Sequence, residues 1–188
     1  MQGLKCFDYR TTPSALDRLN HYDAAIYHLG NDHRYHAGIY EVLRNHPGIA
    51  VFHEYTFQDF FVGQANDLKD WRFYLEEIDF CYGADERAKA EESIERGDLP
   101  PQARAPLDYP LNCRLARSAE GIIAHSEWTR SRLSKVAPNV PTARVSMGKG
   151  TSLFATRSFR AIGPRRWLQR RLLLYRNEAT RSRARTWN

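Results

Sequence analysis

The chain has 188 residues, 42% of them hydrophobic and 12% aromatic, which is enough for one domain with a buried core and excludes a disordered chain. Its net charge of +6 is unevenly spread: residues 149–188 hold 11 basic residues and one acid, a net of +10, against −4 for residues 1–148. The pI of about 9.4 therefore describes the tail and says little about the fold.

Residues 24–29, AAIYHL, form a short apolar run ending at Gly30-Asn31, which predicts a strand and a turn. Tyr35, Ile39, Val42, Leu43 and His46 then recur at helical spacing, with Asn31 or Asp32 placed to cap and Pro47-Gly48 to stop the helix. Ile49 to Phe52 predicts a second strand closing on His53-Glu54, so residues 24–53 read as a parallel crossover unit. A helix is predicted from about Leu68 to Tyr82, with Trp71, Leu75, Ile78 and Tyr82 on one face and Gly83 as its stop. Asp85 to Arg96 predicts a solvated helix, and Leu99 to Pro106 a linker or ordered loop. Leu107, Leu111, Leu115 and Ala119 recur every fourth residue, as on a further helix. GIIAH, residues 121–125, predicts a third strand. Ser126 is placed to cap the helix after it, with Glu127 in its first turn and Trp128, Leu133 and Val136 as its apolar contacts. Thr142 to Met147 predicts a fourth strand. The alternation implies an α/β layer fold with a mostly parallel, Rossmann-like sheet flanked by helices. Composition changes at Lys149, so residues 1–148 read as the folded body and 149–188 as a poorly ordered Arg-rich tail, in which Pro164 to Arg176 could form a basic helix.

No apolar run approaches the roughly 18 residues that a membrane span needs. The opening MQGLKCFDYR has no signal-peptide stretch. Cys6, Cys81 and Cys113 are far apart and form no CxxC pair, which fits a reducing, cytoplasmic compartment.

In open α/β sheets, ligands bind at the carboxyl ends of strands, where loops lead into helices. Three such ends here carry polar groups: Gly30-Asn31, His53-Glu54 and His125-Ser126. A helix N-terminus after such a strand offers N–H groups to phosphate or sugar hydroxyls, and histidine can donate or accept near neutral pH. Blander readings exist for each. His53 could be a capped core histidine, and His28, mid-strand, a packing residue. His33-x-x-His36 has metal-binding spacing, but nothing completes a site, so it reads as a solvated helix start and no metal is expected. His125 beside Ser126 is not a nucleophile–base pair, and no G-x-S-x-G turn is present, which excludes a hydrolase of that kind.

Residues 23–55, DAAIYHLGNDHRYHAGIYEVLRNHPGIAVFHEY, followed by EGIIAHSEWTRSRL at 120–133, resemble the N-terminal domain of a family 4, GT-B fold glycosyltransferase. The likeness rests on Gly30-Asn31, Tyr35-His36, Pro47-Gly48 with His53-Glu54, and His125-Ser126, in that order, and covers about residues 10–148. It implies transfer of a hexose from a nucleotide sugar to a glycan or glycoconjugate acceptor, with retained configuration, no cofactor and no essential metal. The N-terminal domain would bind mainly acceptor and the C-terminal domain the nucleotide sugar. By resemblance, His53 would be the catalytic contact to the donor sugar or its leaving phosphate, Gly30 and Asn31 would line the acceptor side, and His125 and Ser126 the cleft rim. Glu54 stands where Asp is commoner. The family's Gly-rich opening and its E-x7-E donor domain have no counterpart here, so the expectation is a truncated transferase, inactive unless another chain supplies the second domain, with a tail read from a shifted frame. The rival expectation is a non-enzymatic module whose basic tail binds nucleic acid or lies on an anionic membrane surface.

Overall fold

A computed structural model of the chain describes Asp8, Thr11, Thr12, residues 14–147 and the backbone of Leu172–Tyr175. A helical turn, α1 (Ser14–Asp17), runs through a 3-10 turn (Arg18–His21) into β1 (Ala24–Leu29). There follow α2 (His33–Asn45), β2 (Ile49–Phe52), α3 (Gln58–Leu68), α4 (Arg72–Tyr82), α5 (Ala84–Glu95), α6 (Pro101–Arg104) and α7 (Cys113–Ser118). β3 (Gly121–Ala124), α8 (Glu127–Val136), β4 (Thr142–Arg144) and β5 (Leu172–Tyr175) complete the described elements.

The five strands form one parallel sheet in the order β4-β3-β2-β1-β5. The expected α/β class and parallel sheet are therefore present. From β1 to β4 the chain steps in one direction, and β5 lies on the other side of β1. Strand order thus reverses beside β1, the Rossmann-like feature that opens a crevice at the carboxyl edge. β1 and β2 are almost wholly apolar because a central parallel strand is covered on both faces: Ala25, Ile26, Tyr27, Leu29, Ala50, Val51 and Phe52 are all buried. α2 packs on β1, and α8 on β3 and β4.

The caps follow the sequence. Asp32 accepts from Arg34 N at 3.0 Å to start α2, and Ser126 Oγ accepts from Thr129 N at 3.0 Å to start α8. Several boundaries differ from expectation. α3 was not foreseen, although Phe57, Phe60, Phe61 and Ala65 are buried at helical spacing. It ends at Lys69 in a left-handed conformation (φ 51°), so the next helix begins at Arg72 and not near Leu68, which is exposed. The helix expected from Leu107 is short and starts at Cys113. Pro110 disfavours helical backbone before it, Leu111 is left-handed (φ 52°), and the Leu111 N–H donates to Tyr82 Oη at 2.9 Å. Leu107 is exposed, whereas Leu111, Leu115 and Ala119 reach the core by a bent route. Trp128 also departs from its expected apolar role: it is 44% exposed.

Leu172–Tyr175 is a strand, not the basic helix expected over Pro164–Arg176, and it pairs with β1 from Ala24↔Leu172 to Tyr27↔Tyr175. This stretch of the tail therefore pairs with the β1 edge. The rest of the expected basic helix lies outside the described residues. Among the described residues, no helix is long and apolar enough to cross a membrane.

The core is rich in aromatic rings. Tyr40 stands edge-on to Phe61 and Phe73, at centroid distances of 5.8 and 5.5 Å, and Phe60 contacts Phe61 at 4.9 Å. One acid is buried among them. Glu77 Oε1 accepts from Tyr40 Oη at 2.6 Å and from the Arg114 guanidinium, tying α2, α4 and α7 together. Burial raises the Glu77 pKa above the usual carboxylate range despite those two donors.

Candidate functional site: a histidine chain on the sheet edge

Parallel pairing sets Leu29, Phe52 and Ala124 side by side across β1, β2 and β3. The next residues in each strand, Gly30, His53 and His125, therefore share the carboxyl edge. The His53 N–H donates to Leu29 O at 3.0 Å, extending the ladder one step past the regular strand. Strand alternation puts His28, two residues before Gly30, on the face that His53 and His125 also use.

These three imidazoles form a hydrogen-bonded chain. His28 Nδ1 lies 2.9 Å from His53 Nε2, and His53 Nδ1 lies 3.1 Å from His125 Nε2. His125 Nδ1 meets the Val145 carbonyl oxygen at 2.8 Å. The rings of His28 and His53 are stacked, with centroids 5.1 Å apart. A carbonyl only accepts, so His125 carries its proton on Nδ1 and its Nε2 accepts from His53 Nδ1–H. In the neutral chain His53 Nε2 must then accept from His28 Nδ1–H, so all three rings are Nδ1–H tautomers. The carbonyl at its end thus gives the neutral chain a defined direction.

The surrounding residues hold this edge in place. His36 Nδ1 donates to His28 O at 3.1 Å, and its Nε2 lies so close to Gly30 that a Cβ there would be 2.7 Å away. Burial lowers the His36 pKa, which keeps this ring neutral near pH 7. Asn31 braces the next helix: its Oδ1 accepts from Phe60 N at 3.0 Å, and its Nδ2 donates to Asp59 Oδ2 at 2.9 Å. Its backbone N–H faces Glu54 Oε1 at 3.5 Å. Ser126 Oγ is taken up by the α8 cap and also donates to Thr129 Oγ1 at 3.0 Å.

Gly30, Asn31, His53, Glu54, His125 and Ser126 therefore occupy one edge, as their strand-end positions imply. Their roles differ from one another. The Asn31 and Ser126 side chains position helices, and both ring nitrogens of His53 face other histidines. His28, read as packing, is part of the chain instead, because the β1–β2 register brings it beside His53. His33 and His36 are not a solvated pair. His33 Nε2 bonds Asp67 Oδ2 at 2.7 Å, with its ring pressed on Gly63 of α3, while His36 turns to β1. Among the described residues, no group of three or more His, Cys, Asp or Glu could hold a metal ion. An aromatic lip went unforeseen. Tyr55 and Trp128, two and three residues beyond His53 and His125, meet edge to face at 4.9 Å, and the Arg132 guanidinium lies 3.7 Å over the Trp128 ring.

No protein-family model, curated protein or solved structure matches the chain.

Proposed function

We propose that residues 14–147 are the acceptor side of a GT-B glycosyltransferase, which transfers a hexose from a nucleotide sugar to a glycan or glycoconjugate acceptor. The observation that carries this reading is the His28–His53–His125 chain on the carboxyl edge, bordered by Gly30, Asn31, Glu54 and Ser126. Sugar recognition needs donors and acceptors in fixed orientation, and the chain supplies both from rings whose tautomers its hydrogen bonds define. The N-termini of α2 and α8 open on the same edge, adding a positive field suited to hydroxyls or phosphate.

In this reading His53 contacts the donor sugar or its leaving phosphate. One of its two imidazole bonds opens on binding, and the neighbouring ring keeps the orientation of the other. An N–H of the chain can then hydrogen-bond the charge that develops on the leaving oxygen. Glu54 and Gly30 border the acceptor, and the Tyr55–Trp128 lip gives its apolar ring face a surface. Nucleotide recognition belongs to the second domain of the GT-B plan.

Calorimetric titration with nucleotide sugars, nucleoside diphosphates and acceptor glycans tests the proposal. The expected result is glycan binding that His53→Ala abolishes while the circular dichroism spectrum is unchanged. Tight binding of a nucleotide sugar by this chain alone would overturn the division of labour. Glycan binding indifferent to His53→Ala would remove the histidine chain from the site.

A further inference from the structure

Arg132 lies one helical turn after Trp128 on α8, and its guanidinium carbon stacks 3.7 Å from the centroid of that indole. Stacking occupies a face of the guanidinium and leaves its N–H donors directed outward in the plane. Among the described residues, none of these donors meets an acid or a carbonyl oxygen. The one acid of α8, Glu127, is taken by Arg130, whose Nε donates to both carboxylate oxygens at 2.9 Å. Arg132 is thus oriented by the indole while its hydrogen-bonding fork is not used by any described residue.

The platform beneath it is fixed to the histidine edge. The Tyr55 and Trp128 rings, which follow His53 and His125, meet at 4.9 Å and nearly at right angles. Asn112 is fully buried, and its Nδ2 donates to Tyr55 O at 2.8 Å, while Phe57 N–H donates to Pro110 O at 2.8 Å. These bonds hold the loop that carries Tyr55. The Ser126 cap holds the start of α8, just before Trp128. Burial pushes the Tyr55 hydroxyl pKa up, and the Arg132 charge acts against that rise, which places the cation within electrostatic reach of the ring. The acid of the edge lies on the other side. Glu54 faces the Asn31 N–H after β1, whereas Arg132 lies beyond β3, with β2 between them.

We propose that Arg132 binds a carboxylate of the acceptor, so that the acceptor is an acidic glycan carrying a hexuronate. This rests on the glycosyltransferase reading and names its acceptor class. A carboxylate is planar and presents two oxygens at the spacing of two guanidinium N–H groups, so two bonds form side by side. The Trp128 stack fixes the plane of the fork. Tyr55 and the 44% exposed Trp128 give the apolar face of the same sugar a surface. An uncharged hexose uses that surface and leaves the fork empty. Arg132 therefore determines specificity between sugars that differ at one carbon, and no bond is made or broken through it.

The test is calorimetric titration of the full chain with three oligosaccharides that differ only in their terminal sugar: glucuronate, its carboxyl-reduced form glucose, and glucose 6-phosphate. The expected result is that the glucuronate ligand binds about tenfold tighter than the carboxyl-reduced one, as a charge-assisted pair provides. Arg132→Gln should bring those two affinities together. Arg132→Lys keeps the charge without the fork and should retain only part of the difference. The Trp128 indole N–H resonance should shift as the glucuronate ligand binds. Equal affinity for the acidic and neutral ligands, preference for the phosphate ester, or an Arg132→Gln loss of the same size for acidic and neutral ligands would overturn the proposal and leave the glycosyltransferase reading standing. Failure of the folded chain to bind any of the three would overturn both.

Discussion

His53 and His125 lie 72 positions apart in sequence, and their rings meet through one hydrogen bond of 3.1 Å across adjacent parallel strands. The Val145 carbonyl at the far end gives that bond a direction, because it can accept only from His125 Nδ1–H. Nitrogen-15 NMR of the neutral imidazoles should therefore show all three chain members as Nδ1–H tautomers. In His125→Ala, His53 loses its acceptor at Nδ1, and its tautomer signals should become mixed. Nε2–H tautomers throughout the wild type would contradict the wiring.

Gly30 and His36 show how closely this edge is packed. A Gly30→Ala methyl would sit 2.7 Å from His36 Nε2, and the ring is held from its other side by the His28 carbonyl. The expected cost is about 1–3 kcal/mol, as for overpacked cores. Gly30→Ala combined with His36→Ala should recover part of it. Urea denaturation of the three variants measures the difference, and equal stability of Gly30→Ala and wild type would refute the close contact.

His36 also makes a pH prediction. Burial lowers its folded-state pKa below the ordinary 6.5, so the unfolded chain binds more protons between those two values. Stability contributed by neutral His36 is complete above pH 6.5. It declines as pH falls toward the folded-state pKa, and below that pKa the loss is constant. His36→Asn should flatten this part of the curve. Denaturation midpoints at a series of pH values, compared between wild type and variant, provide the check.

The Glu77 cluster titrates in the other sense. Its folded-state pKa is raised from 4.5, so the folded chain binds the extra proton, and stability falls as pH rises from about 4.5 through that pKa. Arg114→Met removes the hydrogen-bonded cation and leaves the buried carboxylate with the Tyr40 hydroxyl as donor and the Arg44 charge at longer range. The expected loss is about 3–5 kcal/mol at a pH above that raised pKa and less below it, where the carboxyl is protonated. Glu77→Gln with Arg114→Met should be more stable than Arg114→Met. A loss independent of pH would show that Glu77 is not the group responsible.

The α8 cap gives a local control. Ser126→Ala removes the acceptor for Thr129 N and should cost about 1 kcal/mol, while Ser126→Asp should restore most of it. Thermal unfolding reads both. If Ser126→Ala lost glycan binding with no change in stability, Ser126 would be a ligand contact and not a cap.

Sequence alone determined the strands β1 to β3, the start but not the end of β4, which stops at Arg144 and not Met147, the cap at Ser126 and the stop at Gly83, and it placed Asp32 as one of two candidate caps for α2, because each depends on residues within a few positions of one another. It also placed Gly30, His53 and His125 at strand ends, where a parallel sheet collects them on one edge. What it left undecided depends on contacts distant in sequence. Leu111 recurs at every-fourth-residue spacing with Leu107 and Leu115, but its N–H is drawn to Tyr82 and its backbone turns left-handed, so helix spacing was misleading there. His28 looked like a packing residue because its partner is supplied by the β1–β2 register. Periodicity records which face of an element is buried. Only tertiary packing decides what that face touches, because hydrogen bonds between imidazoles, side-chain amides and loop carbonyls require atoms within about 3 Å, wherever they lie in the chain.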